Sequence, residues 1–259
     1  MRIRMREQRG GGIRLAALLA LWCAACASVS PERMKQAEAH YQLGASHLSE
    51  NRLQPAFVEF QKAVEFDPTN RRVQYALGHV YFQQGRYDQA VERFQAAIRL
   101  MPNDSESYNY LGKVYETQGK IDDAVEAYRQ ALKNPLYATP ELPHSNLGLI
   151  YKQRKQITEA IREFREAIRI NPDYPVSYLE LGNLYLELGM TEEAVALYKQ
   201  LVERYPEEPV ANLRLALAYL KSGAKQSALT YFQKVVEQAP DSPQAAEAKQ
   251  HISTLRSGR

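Results

Sequence analysis

The sequence predicts an all-α protein, a tandem array of six two-helix hairpins closed by one further helix. Three observations predict it. A Leu followed by a small residue recurs at Leu43-Gly44, Leu77-Gly78, Leu111-Gly112, Leu147-Gly148, Leu181-Gly182 and Leu215-Ala216, at intervals of 34, 34, 36, 34 and 34 residues. An alanine follows each small residue at one fixed spacing, as Ala56, Ala90, Ala124, Ala160, Ala194 and Ala228, and an aromatic ring follows at another, as Phe60, Phe94, Tyr128, Phe164, Tyr198 and Phe232. Five of the six units then end in proline, at Pro68, Pro102, Pro172, Pro206 and Pro240. A period of this length marks stacked supersecondary units, none of which can bury its apolar face alone.

Residues 1–25 read as an address. Five arginines and one glutamate occupy this stretch, and an apolar run from Leu15 to Ala25 ends it. The run is shorter than the roughly 20 residues a bilayer-spanning helix needs, and it fits the hydrophobic region of a secretory signal. The following Ala24-Ala25-Cys26 resembles a bacterial lipobox, which implies that Cys26 is acylated and becomes the first residue of the mature chain, although Cys23 stands where that pattern usually has Leu. The chain has only two cysteines, Cys23 and Cys26, and none in the 233 residues that follow, so a disulfide framework is excluded. Residues 26–36 form a short tether. Ser30-Pro31 reads as a helix N-cap followed by proline at the first helical position. The four residues from Ala27 to Ser30 therefore reach about 14 Å, and the first hairpin is expected to lie against the membrane surface.

Residues 37–242 hold the six units. Counting the small residue as position 8, they begin at Ala37, Arg71, Ser105, Glu141, Pro175 and Pro209. Position 11 is His47, Tyr81, Tyr115, Tyr151, Tyr185 and Tyr219, and position 27 is Ala63, Ala97, Ala131, Ala167, Leu201 and Val235. Small side chains at 8, 20 and 27 let two helices cross closely, and large ones at 7, 11 and 24 fill the space around the crossing. Proline at position 32 ends the second helix because it lacks an N–H and disfavours helix in the residue before it. Position 15 is Asn51, Gly85, Gly119, Lys155, Gly189 and Gly223, where the first helix must stop in the left-handed conformation. The pattern resembles the tetratricopeptide repeat, which implies a superhelix with a groove lined by the first helix of each pair. Residues 243–259 read as a capping helix and tail, with Gln244, Glu247, Lys249 and Gln250 turned to water.

The third unit departs from the period. It ends Asn134-Pro135-Leu136-Tyr137, carries two extra residues, and continues through Pro140 and Pro143, which are expected to keep a regular helix interior out of this stretch. Together with Glu141 and Asn146-Leu147-Gly148-Leu149, and with Ala37-Glu38-Ala39-His40-Tyr41-Gln42 at the first repeat, this join resembles the PilF, PilW and Tgl lipoproteins of type IV pilus assembly. That family also has six such repeats behind a lipidated cysteine. The resemblance implies a pilotin: a lipid-anchored protein on the periplasmic face of the outer membrane. It would bind subunits of the type IV pilus secretin and promote their localisation and multimerisation. The alternative is another envelope scaffold lipoprotein, an adaptor for cell-wall enzymes or polysaccharide export.

The groove positions of the first helices are 2, 5, 9 and 12. In the first two units they include Tyr41, Tyr75, His79 and Phe82, and in the last two Leu179, Leu213 and Leu217. Apolar and aromatic side chains gathered there are expected to contact a protein partner. The third unit has polar Glu106, Asn109, Lys113 and Glu116 instead.

Other function classes find little support. Beyond residue 25 the chain carries 28 basic and 29 acidic residues, so there is no basic field for nucleic acid. The 13 glycines fall at position 8, at position 15, in the signal and at the carboxyl end, and none is left for a phosphate-binding loop. His40, His47, His79, His144 and His251 form no metal-ligand spacing, and no acid, base and nucleophile set is visible. Neither catalysis, metal, cofactor nor small-molecule substrate is expected.

Overall fold

The computed structural model describes residues 29–258. Among the described residues all regular structure is helical: α1 (Pro31–Ser49), α2 (Leu53–Phe66), α3 (Arg71–Gln83), α4 (Tyr87–Leu100), α5 (Ser105–Thr117), α6 (Ile121–Ala131), α7 (Glu141–Gln153), α8 (Ile157–Ile170), α9 (Pro175–Glu187), α10 (Thr191–Arg204), α11 (Pro209–Lys221), α12 (Lys225–Gln238) and α13 (Pro243–Arg256). The expected signal and its Cys26 lie outside the described residues. The chain forms two compact units divided between Leu100 and Met101. The first contains the hairpins α1/α2 and α3/α4; the second contains α5/α6, α7/α8, α9/α10 and α11/α12, with α13 packed on the last of them.

Side chains start several of the first helices. Ser30 accepts the Arg33 N–H ahead of Pro31, Asn70 accepts from Arg72 and Val73, and Asp104 accepts from Ser107. These oxygens satisfy N–H groups that the helix itself leaves without partners. The second helices start differently, straight from a left-handed residue. All six position-15 residues have positive φ, including Asn51 at 57° and Lys155 at 58°. In the second hairpin Gly85 N–H donates to Phe82 O and Arg86 N–H to Tyr81 O, which closes α3 and aims the chain back along it.

The crossing of each pair explains the glycines of position 8. A Cβ added at Gly44 would stand 2.6 Å from the ring of Phe60, and one at Gly148 would stand 2.7 Å from the ring of Phe164. The rings pack against the glycine positions and are fully buried, as are Ala56, Ala63, Ala160 and Ala167.

The chain's departures from its own period have physical reasons. Leu77, Leu147, Leu181 and Leu215 at position 7 are buried, whereas Leu43 is 53% exposed. Among the described residues no hairpin precedes it. That side of α1 also carries Gln36 bonded to Glu32 and Ser46 bonded to Glu50. In the third join the expectation for Pro143 needs correction. It lies in the first turn of α7, where a missing N–H breaks no helical bond. At the other end α13 buries Ala245 and Ala248, and His251 stacks on Phe232 with ring centroids 4.9 Å apart.

Candidate functional site

Two apolar clefts, one in each unit, are built mainly from first-helix residues. In the first unit α1 is 19 residues long and starts six residues before the repeat register. Met34, Tyr41, Ala45 and Leu48 recur along it at helical spacing and form one stripe. Met34 is 52% exposed. Opposite them α3 presents Tyr75, Ala76 and His79. The space between is a cleft of about 340 Å3 lined by Tyr41, Ala45, Leu48, Ser49, Tyr75, Ala76 and His79, with the ring of Phe60 beneath.

The two tyrosines of this cleft are held in place. Tyr41 tilts against Phe60 at 5.8 Å and carries the Arg72 guanidinium over its ring at 4.2 Å. Arg72 in turn pairs with Glu38 at 3.2 Å. Tyr75 meets Phe94 edge to face at 5.9 Å. Side chains fixed in this way lose little further freedom when a partner arrives. Phe82 sits two turns beyond Tyr75, and its ring packs towards Tyr87, 6.0 Å away.

In the second unit a smaller cleft of about 260 Å3 lies between the fifth and sixth hairpins. Pro175, Leu179, Leu201, Val210 and Ala211 make it apolar, and Tyr205 and Glu208 stand at its side. The Tyr205 hydroxyl donates to the Asp173 carbonyl at 2.7 Å. In the third hairpin Glu106 and Lys113 are exposed, whereas Asn109 is buried. There Tyr128 is buried and donates its hydroxyl to Glu116 at 2.9 Å. Burial first, then the neighbouring carboxylate, push the Tyr128 hydroxyl far above its ordinary titration range.

The expected groove residues therefore divide. Tyr41, Tyr75 and His79 come together in the first cleft, and Leu179 lines the second. Leu213 does not reach open surface: it is 3% exposed and packs with Ala216, Phe232, Val235 and Ala248. Leu217 is half-buried against the same cluster. The reason is α13, which closes the last hairpin and turns position 5 there into core. Tyr205 lines the second cleft from a position outside the four that usually face the groove, and Met34 continues the α1 stripe beyond the first cleft without lining it. The stripe spacing of Met34 relative to Tyr41 was the available signal.

Two histidines have a structural task. His40 and Glu59 meet at 2.6 Å, and His144 and Glu163 at 2.7 Å. Both pairs occupy positions 4 and 23 and join the two helices of one hairpin. Burial disfavours the charge of Glu163, but hydrogen bonds from His144 and Arg162 outweigh it and hold the carboxyl below its usual range. Among the described residues no group of three His, Cys, Asp or Glu is placed to hold a metal ion. What the clefts offer is apolar area rimmed by hydroxyls, suited to side chains of a protein segment.

A family model described as tetratricopeptide repeat matches residues 75–143 and 179–243, and another described as TPR repeat matches residues 46–85 and 148–189. Among solved structures, PilF of Pseudomonas aeruginosa is 21% identical with a TM-score of 0.70, over 88% of this chain and 100% of that one. PilW, a widely conserved type IV pilus biogenesis factor, is 19% identical with a TM-score of 0.68, over 85% of this chain and 97% of that one. MamA is 25% identical with a TM-score of 0.56, over 66% of this chain and 92% of that one. No curated protein matches significantly by sequence.

Proposed function

This chain belongs to the tetratricopeptide repeat family, and from that premise we propose that it is an outer-membrane lipoprotein that captures secretin subunits for type IV pilus assembly. The observation that carries the binding claim is the first cleft. Tyr41 and Tyr75 are anchored aromatics on facing helices, with Ala45, Leu48 and His79 between them. Aromatic anchors in a preformed apolar cleft are the usual centres of binding energy. An apolar segment of a secretin subunit is the proposed occupant.

The pilus assignment has separate support. The join from Asn134 to Leu149 and the approach to the first repeat resemble the pilus assembly lipoproteins, and Cys26 resembles their lipidated residue. The likeness to PilF and PilW over nearly their whole lengths is in keeping with this reading and carries the fold alone. Attachment through Cys26 would put the first hairpin, and its cleft, close to the bilayer in which the secretin assembles. Stable attachment needs more than one acyl chain, which an acylated N-terminal cysteine supplies.

The test is to delete the gene and examine outer membranes for heat-resistant secretin multimers. The expected result is loss of multimers and pili, with secretin monomers accumulating. Normal multimers and pili in the deleted strain would defeat the proposal. Palmitate labelling of the wild type but not of Cys26→Ser is expected to identify the anchor, and equal labelling of both would remove it from Cys26.

A further inference from the structure

The third join displays an apolar knob. Leu136 is 88% exposed, far above any other large apolar side chain among the described residues. Its turn is fixed at several points. Asn134 accepts the Leu136 N–H through its side chain at 3.0 Å and the Tyr137 N–H through its carbonyl at 3.2 Å. The Asn134 side chain also donates to the Asn103 carbonyl at 3.3 Å. Pro135 restricts the backbone between them. Exposing a leucine on so ordered a turn forfeits burial energy, and a partner that covers it recovers that energy with little ordering cost.

The same unit carries a cavity suited to such a knob. The cleft of about 260 Å3 between Pro175, Leu179, Leu201, Val210 and Ala211 is smaller than the ~300–1,000 Å3 pockets that enclose a whole small ligand, and matches the scale of a side chain. Knob and cavity both lie at the edge where a second helix passes to the next first helix: Leu136 between α6 and α7, the cleft around the passage from α10 to α11.

Their charges are complementary. Exposed Lys133 precedes the knob by three residues, and exposed Glu208 lines the cleft.

We propose that two copies of this chain pair through this edge, Leu136 of each entering the Leu179–Val210 cleft of the other. When the knob of each copy enters the cavity of the other, both contacts form at once and the pair closes as a two-fold dimer, whereas a single knob-in-cavity contact would propagate head to tail. It uses residues 133–136 and 175–211, none of which line the Tyr41–Tyr75 cleft. It therefore goes beyond the secretin reading, and either can fail alone.

The test is disulfide cross-linking in intact cells. The chain has no cysteine beyond Cys26, so Lys133→Cys and Glu207→Cys can be introduced together in the full protein. On oxidation the doubly substituted chain is expected to run as a dimer on non-reducing gels, while each single substitution stays monomeric. Adding Leu136→Glu is expected to lower the dimer fraction about tenfold or more, the scale set by one buried leucine. Lys133, Leu136 and Glu207 are solvent-exposed, and unchanged melting curves check that the substitutions, including loss of the Gln238–Glu207 bond, leave the fold intact. The proposal is overturned if no dimer forms although both cysteines react with maleimide. It is equally overturned if the single substitutions cross-link as well as the pair, or if Leu136→Glu changes nothing.

Discussion

Lys155 holds the left-handed turn of the fourth hairpin at φ 58°, a place where four of the other five hairpins use glycine. The turn is otherwise the same. Lys155 N–H donates to Lys152 O at 3.0 Å and Gln156 N–H to Tyr151 O at 2.8 Å, against 3.0 Å and 2.9 Å for the corresponding bonds at Gly85. The difference between lysine and glycine here is therefore one of backbone preference. An L residue in this region costs about 1–2 kcal/mol, and glycine offsets about 0.5–1 kcal/mol of that through its greater freedom when unfolded. Lys155→Gly is expected to stabilise the chain by about 0.5–1 kcal/mol, which raises the thermal midpoint by roughly 1–4 °C for a protein of this size. Lys155→Ala keeps the Cβ and should change stability by less than about 0.5 kcal/mol. Gly85→Ala is the mirror test. An added Cβ there meets nothing within 4 Å, so its expected loss of about 1 kcal/mol is a pure backbone effect. Far-ultraviolet circular dichroism melts of the four chains read all of this. A destabilised Lys155→Gly would rule out a backbone cost at this turn, and a Lys155→Ala that gains as much would assign the effect to the lysine side chain.

Further outcomes follow from packing and charge. Gly148→Ala puts a methyl 2.7 Å from the buried Phe164 ring, and overpacking of about 1–3 kcal/mol should exceed the helix-propensity gain of about 1 kcal/mol. Urea titration should show a net loss, relieved in part by Phe164→Leu. Glu163→Gln removes hydrogen-bonded charge from His144 and Arg162 and is expected to cost about 1–3 kcal/mol at pH 7. The Glu163 carboxyl is held below its unfolded value of about 4.3, so its contribution is complete above that pH and disappears as pH falls through the lower folded value. The gap between denaturant titrations of Glu163→Gln and wild type should therefore be full above the unfolded value and narrow progressively as pH falls below it; a gap that stays constant on acidification would contradict the assignment. Met34→Glu, at an exposed point of the inner stripe, is expected to leave the melting curve within about 0.5 kcal/mol while weakening partner capture.

The hairpins were legible because their determinants are local. Glycine at position 8 answers a ring sixteen residues on, and position 15 must be left-handed whichever residue fills it, so Lys155 could be placed by register although lysine is a poor choice. Pro143 was misread because proline breaks a helix only beyond its first turn, and that turn begins at Glu141. The sites were less legible, since exposure depends on neighbours that a repeat pattern does not specify. Leu213 and Leu179 occupy the same position in successive units, yet α13 closes over one hairpin and leaves the other beside a cleft. The His40–Glu59 and His144–Glu163 bonds went unseen for a related reason: each joins positions 19 residues apart that only the folded hairpin brings together.

In the proposed function the Tyr41–Tyr75 cleft captures secretin subunits. Its most direct measurement is the amount of heat-resistant secretin multimer in outer membranes of cells whose only copy of this protein carries Leu48→Glu with Tyr75→Ala. The variant must be present at wild-type level and keep its lipid anchor. Removal of one aromatic anchor and insertion of a charge into an apolar cleft should each cost about 2 kcal/mol or more of binding, so multimers are predicted to fall at least tenfold. Multimers at the wild-type amount would show the cleft to be dispensable to the proposed function.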